Sequence, residues 1–273
     1  MRSLLILPAL LLSVFSVQAQ HRLEKVWQSD SIPVPESVLF SAQENILYVS
    51  QIDGDGTAKD GKGAIGKLAT NGKTIDLNWV SGLNAPKGID VFGDKMYVAD
   101  ITDVVVIDKK KGKVIKRIAV PGSKFLNDVT IDSKGRVFVS ETRLNKIFLV
   151  ENDVPSVYME EITSANGLKA VGDKLYVLAG TELWEIDANK EIDKISSGFE
   201  KVGDGLEPVG NGDFIASCWA GLIYYVKPNG NFEKLLDTQA DKMNTADIGY
   251  DAKNKIIFVP TFLKNSVVAY RLY

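Results

Sequence analysis

The segment Lys87–Val98, KGIDVFGDKMYV, indicates the architecture, because Asn166–Val177, NGLKAVGDKLYV, matches it at six of twelve positions and repeats its order of residue types. Each copy runs from a polar first residue through an aliphatic strand and a Gly-Asp-Lys turn to a strand of the form aliphatic-aromatic-Val. Looser copies of this pattern occur along the whole chain, and we call the first residue of each copy its key position. The six key positions are Glu36, Lys87, Asn127, Asn166, Asp204 and Ala246.

The spacing of the copies predicts the architecture. After a longer first interval, the key positions recur about every 40 residues, which together with short strands and Gly, Asn or Asp turns is typical of β-propeller blades. Sustained helical patterns with caps do not occur, and only Asp237–Asn244 leaves room for a short turn of helix. The sequence therefore predicts an all-β fold, a single six-bladed β-propeller over residues 20–273.

The two ends of the chain predict how the ring closes. The last strand, Ser266–Tyr273, is the third of its repeat, and no fourth strand follows it. The segment Leu23–Gln28 reads as an isolated strand that precedes the first repeat. We expect this N-terminal strand to complete the last blade, because a closed ring leaves no long open sheet edge.

The N-terminal segment, residues 1–19, reads as a secretory signal peptide. Met1-Arg2 is a charged start, Leu4–Val17 is apolar, and Val17-Gln18-Ala19 is a small-x-small cleavage site. No later apolar stretch in the sequence is long enough to cross a bilayer. The sequence thus predicts an exported protein, periplasmic or extracellular, without a membrane anchor.

Composition narrows the possible chemistry. The formal net charge is only −3 and the basic residues are scattered, so no nucleic-acid partner is expected. His21 is the single histidine, which leaves a Ser-His-Asp nucleophile system without its base and excludes a histidine zinc site. Cys218 is the single cysteine and is expected to be a small buried apolar residue. Any metal would have oxygen ligands, which favours Ca²⁺, Mg²⁺ or Mn²⁺.

The key positions carry the candidate site, since equivalent positions of a propeller face one another around its axis. Two carboxylates and two amides would converge there, a suitable ligand set for a hard cation. Asn-Gly and Asp-Gly are also strong turn dipeptides, but a turn preference does not explain Glu36 or the constant register. Lys87 leaves two alternatives open: its ammonium could neutralise the carboxylates in place of a metal, or hold an anionic substrate beside one.

Two further features belong to the same face of the ring. The loop Gln51–Ala64 makes the first repeat longer than the others and follows a second strand, so it should hang over the key positions. It is either a functional lid or a mobile surface insertion. Trp219 also follows a second strand and could form a wall of a substrate pocket.

The motifs at these positions resemble the gluconolactonase family, also called senescence-marker-protein or regucalcin-like lactonases. The resemblance spans residues 20–273 and implies a six-bladed propeller with one divalent cation held by Glu36, Asn166 and Asp204, and with Asn127 facing the substrate. Two positions depart from the family pattern. Glu36-Ser37-Val38 replaces Glu-Gly-Pro, and Phe125 replaces an arginine, which removes a bidentate donor and points to a more apolar lactone than a sugar lactone.

The sequence therefore predicts an exported metal-dependent hydrolase of a lactone or related ester, acting as a monomer on a small molecule. Ca²⁺ is the first expectation for the cation, with Mg²⁺ and Mn²⁺ as alternatives. Asp204 would be both a ligand and the catalytic base. The residues expected to contact substrate are Asn127, Lys87, Phe125 and Trp219. The alternative function is a non-catalytic propeller that binds a ligand or a partner protein on this face.

Overall fold

The computed structural model describes residues 20–273 and consists of six four-stranded antiparallel sheets arranged as the blades of a ring. The predicted all-β, six-bladed β-propeller is confirmed. The predicted signal peptide, residues 1–19, lies outside the described residues. No helix in residues 20–273 has the length and apolar character needed to cross a membrane.

Four consecutive strands form each of the first five blades. Blade 1 contains β2 (Pro35–Ser41), β3 (Ile46–Gln51), β4 (Gly63–Ala69) and β5 (Thr74–Leu83), after β1 (Leu23–Asp30). Blade 2 contains β6 (Pro86–Phe92), β7 (Lys95–Asp100), β8 (Asp103–Asp108) and β9 (Lys113–Ala119). Blade 3 contains β10 (Leu126–Ile131), β11 (Val137–Glu141), β12 (Lys146–Glu151) and β13 (Val154–Met159).

The second half of the ring follows the same plan. Blade 4 contains β14 (Ala165–Val171), β15 (Lys174–Ala179), β16 (Glu182–Ile186) and β17 (Ile192–Ser197). Blade 5 contains β18 (Leu206–Gly210), β19 (Asp213–Cys218), β20 (Leu222–Val226) and β21 (Phe232–Asp237). Blade 6 contains β22 (Gly249–Asp251), β23 (Ile256–Pro260) and β24 (Ser266–Leu272), with β1 as its fourth strand.

The ring closes as the sequence predicts. Strand β1 pairs antiparallel with β24, from Leu23 opposite Leu272 to Asp30 opposite Ser266. Half-buried Trp27 fastens this outer strand to blade 1, because its indole Nε1 donates to the carbonyl of Thr70 at 2.9 Å. The Trp27 ring also packs 5.9 Å from that of Phe258.

The core lies between neighbouring blades, where the faces of two sheets meet. Between blades 3 and 4, for example, Phe138 and Ile147 pack with Leu168, Leu175 and Trp184. Such layers recur around the ring and bury the aliphatic and aromatic residues that give the repeat its pattern. Cys218 belongs to one of these layers and is fully buried, as expected.

A bulge at the start of the innermost strand aims each key side chain in the first four blades. The ladder between the first two strands skips the key residue and its neighbour there, as between Pro35 and Val38 or Leu126 and Val129. Such a bulge bends the strand and redirects its side chains. In blades 1, 3 and 5, a serine hydroxyl of the second strand takes the place of a lost ladder bond. Ser50, Ser140 and Ser217 each accept a hydrogen bond from the N–H of the residue that follows the key position.

The one segment that left room for a short turn of helix, Asp237–Asn244, contains none. Asp237 ends β21 and residues 239–242 form turns, while the one 3₁₀ turn within residues 20–273 is Phe262–Lys264. The Thr238 hydroxyl, which lies 2.7 Å from the carbonyl of Met243 and 3.1 Å from that of Gly221, explains the difference. This side chain ties the segment to neighbouring backbone, which competes with helical hydrogen bonds.

We predict that Trp27→Ala lowers the free energy of unfolding by about 2 kcal/mol, since it removes a half-buried indole and a hydrogen bond from the closing strand. Trp219→Ala is the matched control, because that indole is 44% exposed at the mouth of the ring and should change stability little. Urea unfolding of both variants measures the difference. Equal losses would mean that the closing strand does not stabilise the ring through Trp27.

Candidate functional site

A cavity of about 280 Å³ lies where the innermost strands begin, and all seven predicted site residues line it. These residues are Glu36, Lys87, Phe125, Asn127, Asn166, Asp204 and Trp219. The cavity has three more lining residues, Ile52, Gly56 and Phe262. The register of the repeats thus brings side chains from five blades and two loops to one place.

Two carboxylates are the least satisfied groups of this cavity. Glu36 is 5% exposed and Asp204 is 3% exposed, and the Oε2 and Oδ2 atoms of these residues have no hydrogen-bond partner. Burial, and next the charge of Asp204, holds the pKa of Glu36 well above its usual range. Burial raises the pKa of Asp204 to about 7. Without a compensating cation, this pair resists double ionisation at neutral pH.

The two amides use their NH₂ groups as donors to neighbouring oxygen atoms. Asn166 Nδ2 donates to Asp204 Oδ1 at 2.7 Å and to the carbonyl of Gly203 at 3.3 Å. Asn127 Nδ2 donates to Thr142 Oγ1 at 3.1 Å, and the Thr142 hydroxyl donates to the carbonyl of Ala165 at 2.8 Å. These bonds fix both amide planes, and neither amide oxygen accepts a hydrogen bond within residues 20–273.

Lys87 is held by main-chain carbonyls. Its ammonium donates to the carbonyls of Ala85 at 2.9 Å and Gly56 at 3.1 Å, and it lies 4.5 Å from the ring centroid of Phe125. No salt bridge joins it to Glu36 or Asp204, all of which lie in the described part of the chain. Burial lowers the pKa of Lys87. This arrangement does not favour Lys87 as the direct counter-ion of the carboxylates.

The long loop after β3 lies over the same face, as its position in the sequence predicts. Ile52 and Gly56 of this loop line the cavity, and the Lys87 ammonium holds Gly56. A second tie joins Lys59 Nζ to Thr102 Oγ1 at 2.6 Å. The loop is therefore anchored to blade 2 at two points, and its role as a lid stays a prediction.

Aromatic side chains form much of the wall. The rings of Trp219 and Phe262 meet edge to face at 5.5 Å, and Phe125 lies on another side. Phe262 was missed from the sequence, although it follows the second strand of blade 6 as Trp219 follows that of blade 5. Ala246, the key position of this blade, has no polar side chain that would mark the blade as part of a site. The cavity thus has a polar floor and an apolar rim.

A second, much smaller cavity of about 10 Å³ is lined by other residues of the inner part of the ring. Asp128 and Asp247 follow the key positions of blades 3 and 6, which face each other across the ring, and Ser37 donates its hydroxyl to Asp247. Burial raises the pKa of Asp128 to about 7. A Cβ at Gly88 would collide with Asp128 and one at Gly205 with Asp247, so the two glycines leave room for these carboxyl groups. The inner part of the ring therefore contains a second pair of acids, Asp128 and Asp247, besides Glu36 and Asp204.

The residues present suit a hard cation. Two carboxylate oxygens lack partners, and Asn127 and Asn166 line the same cavity. Carboxylate and amide oxygens are ligands of the type that Ca²⁺, Mg²⁺ and Mn²⁺ prefer. Residues 20–273 contain no group of three or more His, Cys, Asp or Glu placed to hold a metal. A cation here would therefore depend on the asparagines as well as the carboxylates.

Comparison with known proteins supports the fold. No family model matches the chain, and no curated protein matches it in sequence. A streptogramin B lyase superposes with a TM-score of 0.68 at 12% identity, covering 93% of this chain and 98% of that one. A luciferin-regenerating enzyme superposes with a TM-score of 0.64 at 13% identity, covering 93% and 95%. Catalytically inactive virginiamycin B lyase from Staphylococcus aureus with quinupristin gives 0.64 at 15%, covering 93% and 100%.

These neighbours are six-bladed propellers, and the names of two of them, a streptogramin B lyase and a luciferin-regenerating enzyme, are those of enzymes. At such low identity the likeness concerns the fold alone. The chain is therefore a six-bladed β-propeller with a partly buried, acid-floored cavity at one mouth of the ring.

We predict that Asp204→Asn stabilises the protein at pH 8 in the presence of a chelator. The folded-state pKa of about 7 exceeds that of an unfolded aspartate, about 4, so the stability that this carboxyl contributes is fully present below about pH 4 and is lost as pH rises through 7. A tenfold change in proton affinity corresponds to about 1.4 kcal/mol, so we expect a gain of about 1 to 4 kcal/mol at pH 8. The gain should shrink strongly at pH 4.5.

Denaturant unfolding at both pH values measures this effect. Asp94→Asn is the control, because Asp94 lies in an exposed hairpin turn and pairs with Lys110 at the surface. A variant that is equally stable or less stable than the parent at pH 8 would contradict the account of a buried, uncompensated acid pair.

Proposed function

We propose that this protein is an exported, divalent-cation-dependent hydrolase of a lactone or related ester. The observation that carries the proposal is the cavity floor, where Glu36 Oε2 and Asp204 Oδ2 are buried without hydrogen-bond partners beside Asn127 and Asn166. Buried charges without partners are costly, so an arrangement of this kind suits a positively charged ligand.

Glu36, Asn166 and Asp204 are the residues proposed to hold the cation. When bound, a divalent cation would polarise the substrate carbonyl and stabilise negative charge on its oxygen. Ca²⁺ is the leading candidate because it accepts mixed carboxylate and carbonyl ligands in flexible geometry, and Mg²⁺ and Mn²⁺ remain alternatives.

Asp204 is the proposed base. Its Oδ2 accepts a proton from the attacking water, and the hydroxide equivalent adds to the carbonyl carbon as the ester bond breaks. The same proton then passes to the leaving alkoxide, which gives a carboxylic acid and an alcohol. The bond from Asn166 Nδ2 to Asp204 Oδ1 keeps the base oriented during this exchange.

Asn127 is proposed to orient the substrate. One hydrogen of its NH₂ group bonds Thr142, so the second hydrogen and the Oδ1 acceptor can contact a carbonyl or the attacking water. Phe125, Trp219 and Phe262 supply apolar walls, which favours a lactone with an apolar body over a polyhydroxylated one.

The test is hydrolysis of an apolar lactone, dihydrocoumarin, beside glucono-δ-lactone. We expect turnover of dihydrocoumarin that EDTA abolishes and Ca²⁺, Mg²⁺ or Mn²⁺ restores. Asp204→Ala should lose at least about 100-fold in kcat/KM, as expected when a group that stabilises the transition state is removed. Asp94→Ala, at the opposite end of its blade, should retain full activity.

Activity that survives both chelation and Asp204→Ala would refute the proposed chemistry. Binding of lactones without turnover in any cation would instead support the alternative, a ligand-binding propeller without catalysis.

A further inference from the structure

Arg143 lies beside the cavity wall in a position that the backbone defines. The fully buried Glu141 carboxylate accepts from the N–H groups of Lys124 and Phe125 through Oε2 and from the N–H of Arg143 through Oε1, the last at 3.0 Å. The N–H of Thr142 also donates to the carbonyl of Phe125 at 3.3 Å. The turn that carries Arg143 is thus tied to the segment that carries Phe125.

In this position the guanidinium of Arg143 packs on the aromatic ring of Phe125. Its Cζ lies 4.5 Å from the ring centroid of Phe125, which lines the cavity. The planar guanidinium stacks well on aromatic rings and keeps its N–H donors free at the edge. Lys87, the other cation on this ring, has already committed its ammonium to two main-chain carbonyls. Arg143 is therefore the cation beside Phe125 whose donors are available to a ligand.

No acid forms an ion pair with Arg143 within residues 20–273. Arg117 pairs with Asp100 at 2.9 Å, whereas the exposed Arg143 side chain forms no salt bridge or hydrogen bond in this part of the chain. The carboxylate of Asp55 is near enough to feel the charge of Arg143, but it accepts from the hydroxyl and the N–H of Thr57. The guanidinium thus keeps its N–H donors free of any acid partner next to the Phe125 wall of the cavity.

The ring geometry separates Arg143 from the acids of the floor. Arg143 belongs to blade 3, while Asp204 and Glu36 belong to blades 5 and 1, on either side of the opposite blade 6. An anionic group bound at Arg143 would thus lie away from the carboxylates of the cavity floor, which would otherwise repel it.

We propose that Arg143 binds a carboxylate group of the substrate and so selects lactones or esters that carry a negative charge at one end and an apolar body. The inference rests on the proposed function and specifies its substrate class. Phe125 acts with Arg143 as a positioning residue. The guanidinium stacks on the Phe125 ring, and the ring also contacts the apolar part of the ligand.

Kinetics with a matched pair of esters test this selection. The probes are the 4-nitrophenyl monoester of glutaric acid, which carries a carboxylate, and 4-nitrophenyl valerate, its uncharged analogue of equal chain length. We expect Arg143→Gln to lower kcat/KM for the charged ester by a factor of about 10 to 100, as the loss of a hydrogen bond to a charged group predicts, and to change the uncharged ester less than about twofold. Arg143→Lys should fall between the parent and Arg143→Gln.

Arg271→Gln is the control, because Arg271 is exposed on the outer part of blade 6 and is also without a salt bridge in the described chain. It should affect neither ester. Equal losses for both esters in Arg143→Gln, or no loss for either, would overturn the proposal.

A binding measurement separates this inference from the proposed hydrolysis. Calorimetric titration compares 4-phenylbutyrate with 4-phenylbutanamide, which differ in charge and cannot be hydrolysed as esters. The parent protein should bind the carboxylate at least about fivefold more tightly than the amide, and Arg143→Gln should remove that preference even if no ester is turned over. A retained preference in the variant, equal affinities in the parent, or binding of neither probe would overturn the role of Arg143.

Discussion

The closed ring of six blades forces equivalent residues of the six repeats to face one axis, and the site depends on this constraint. Bulges at the start of the innermost strands then turn the key side chains out of the ladder and toward the open mouth. A polar residue that would be a minor turn feature in one repeat thus lines one cavity with the polar key residues of four other repeats. Convergence, rather than any single motif, produces the buried acid pair.

The surroundings show how the fold tolerates that pair. Asn166 bonds one oxygen of Asp204, and beneath the site glycines make space for Asp128 and Asp247. The ammonium of Lys87 lies close enough to lower the pKa of Glu36, although burial and Asp204 raise that pKa more strongly. The remaining imbalance is a pair of oxygens without partners, which is where a cation would contribute most to stability and to chemistry.

Much of this could be predicted from the sequence because the repeat carries it. The regular recurrence of the pattern implied blades, and the register of the key positions implied that Glu36, Asn127, Asn166 and Asp204 meet. The unmatched strands at the two ends implied the closure by β1. Local pattern was enough for these features, since each follows from the position of a residue within its repeat.

The remaining features depend on side-chain contacts at positions where the repeats do not share a pattern, so local pattern does not encode them. The sequence left room for a short turn of helix at Asp237–Asn244, and none forms there because the Thr238 side chain bonds the carbonyls of Gly221 and Met243. One carbonyl contact of Lys87 involves a loop of the preceding blade, and the buried Glu141 helps to hold Arg143 beside Phe125. Phe262 reaches the cavity from a loop whose repeat has a blank key position.

Cation binding by the purified protein tests the central claim most directly. After dialysis against Ca²⁺, and separately Mn²⁺, at pH 8, elemental analysis should find about one equivalent in the parent protein and less than about a tenth of an equivalent in Glu36→Gln. Absence of bound cation from the parent, or equal loading of the two proteins, would contradict the assignment of Glu36, Asn166 and Asp204 as the ligands at the mouth of the ring.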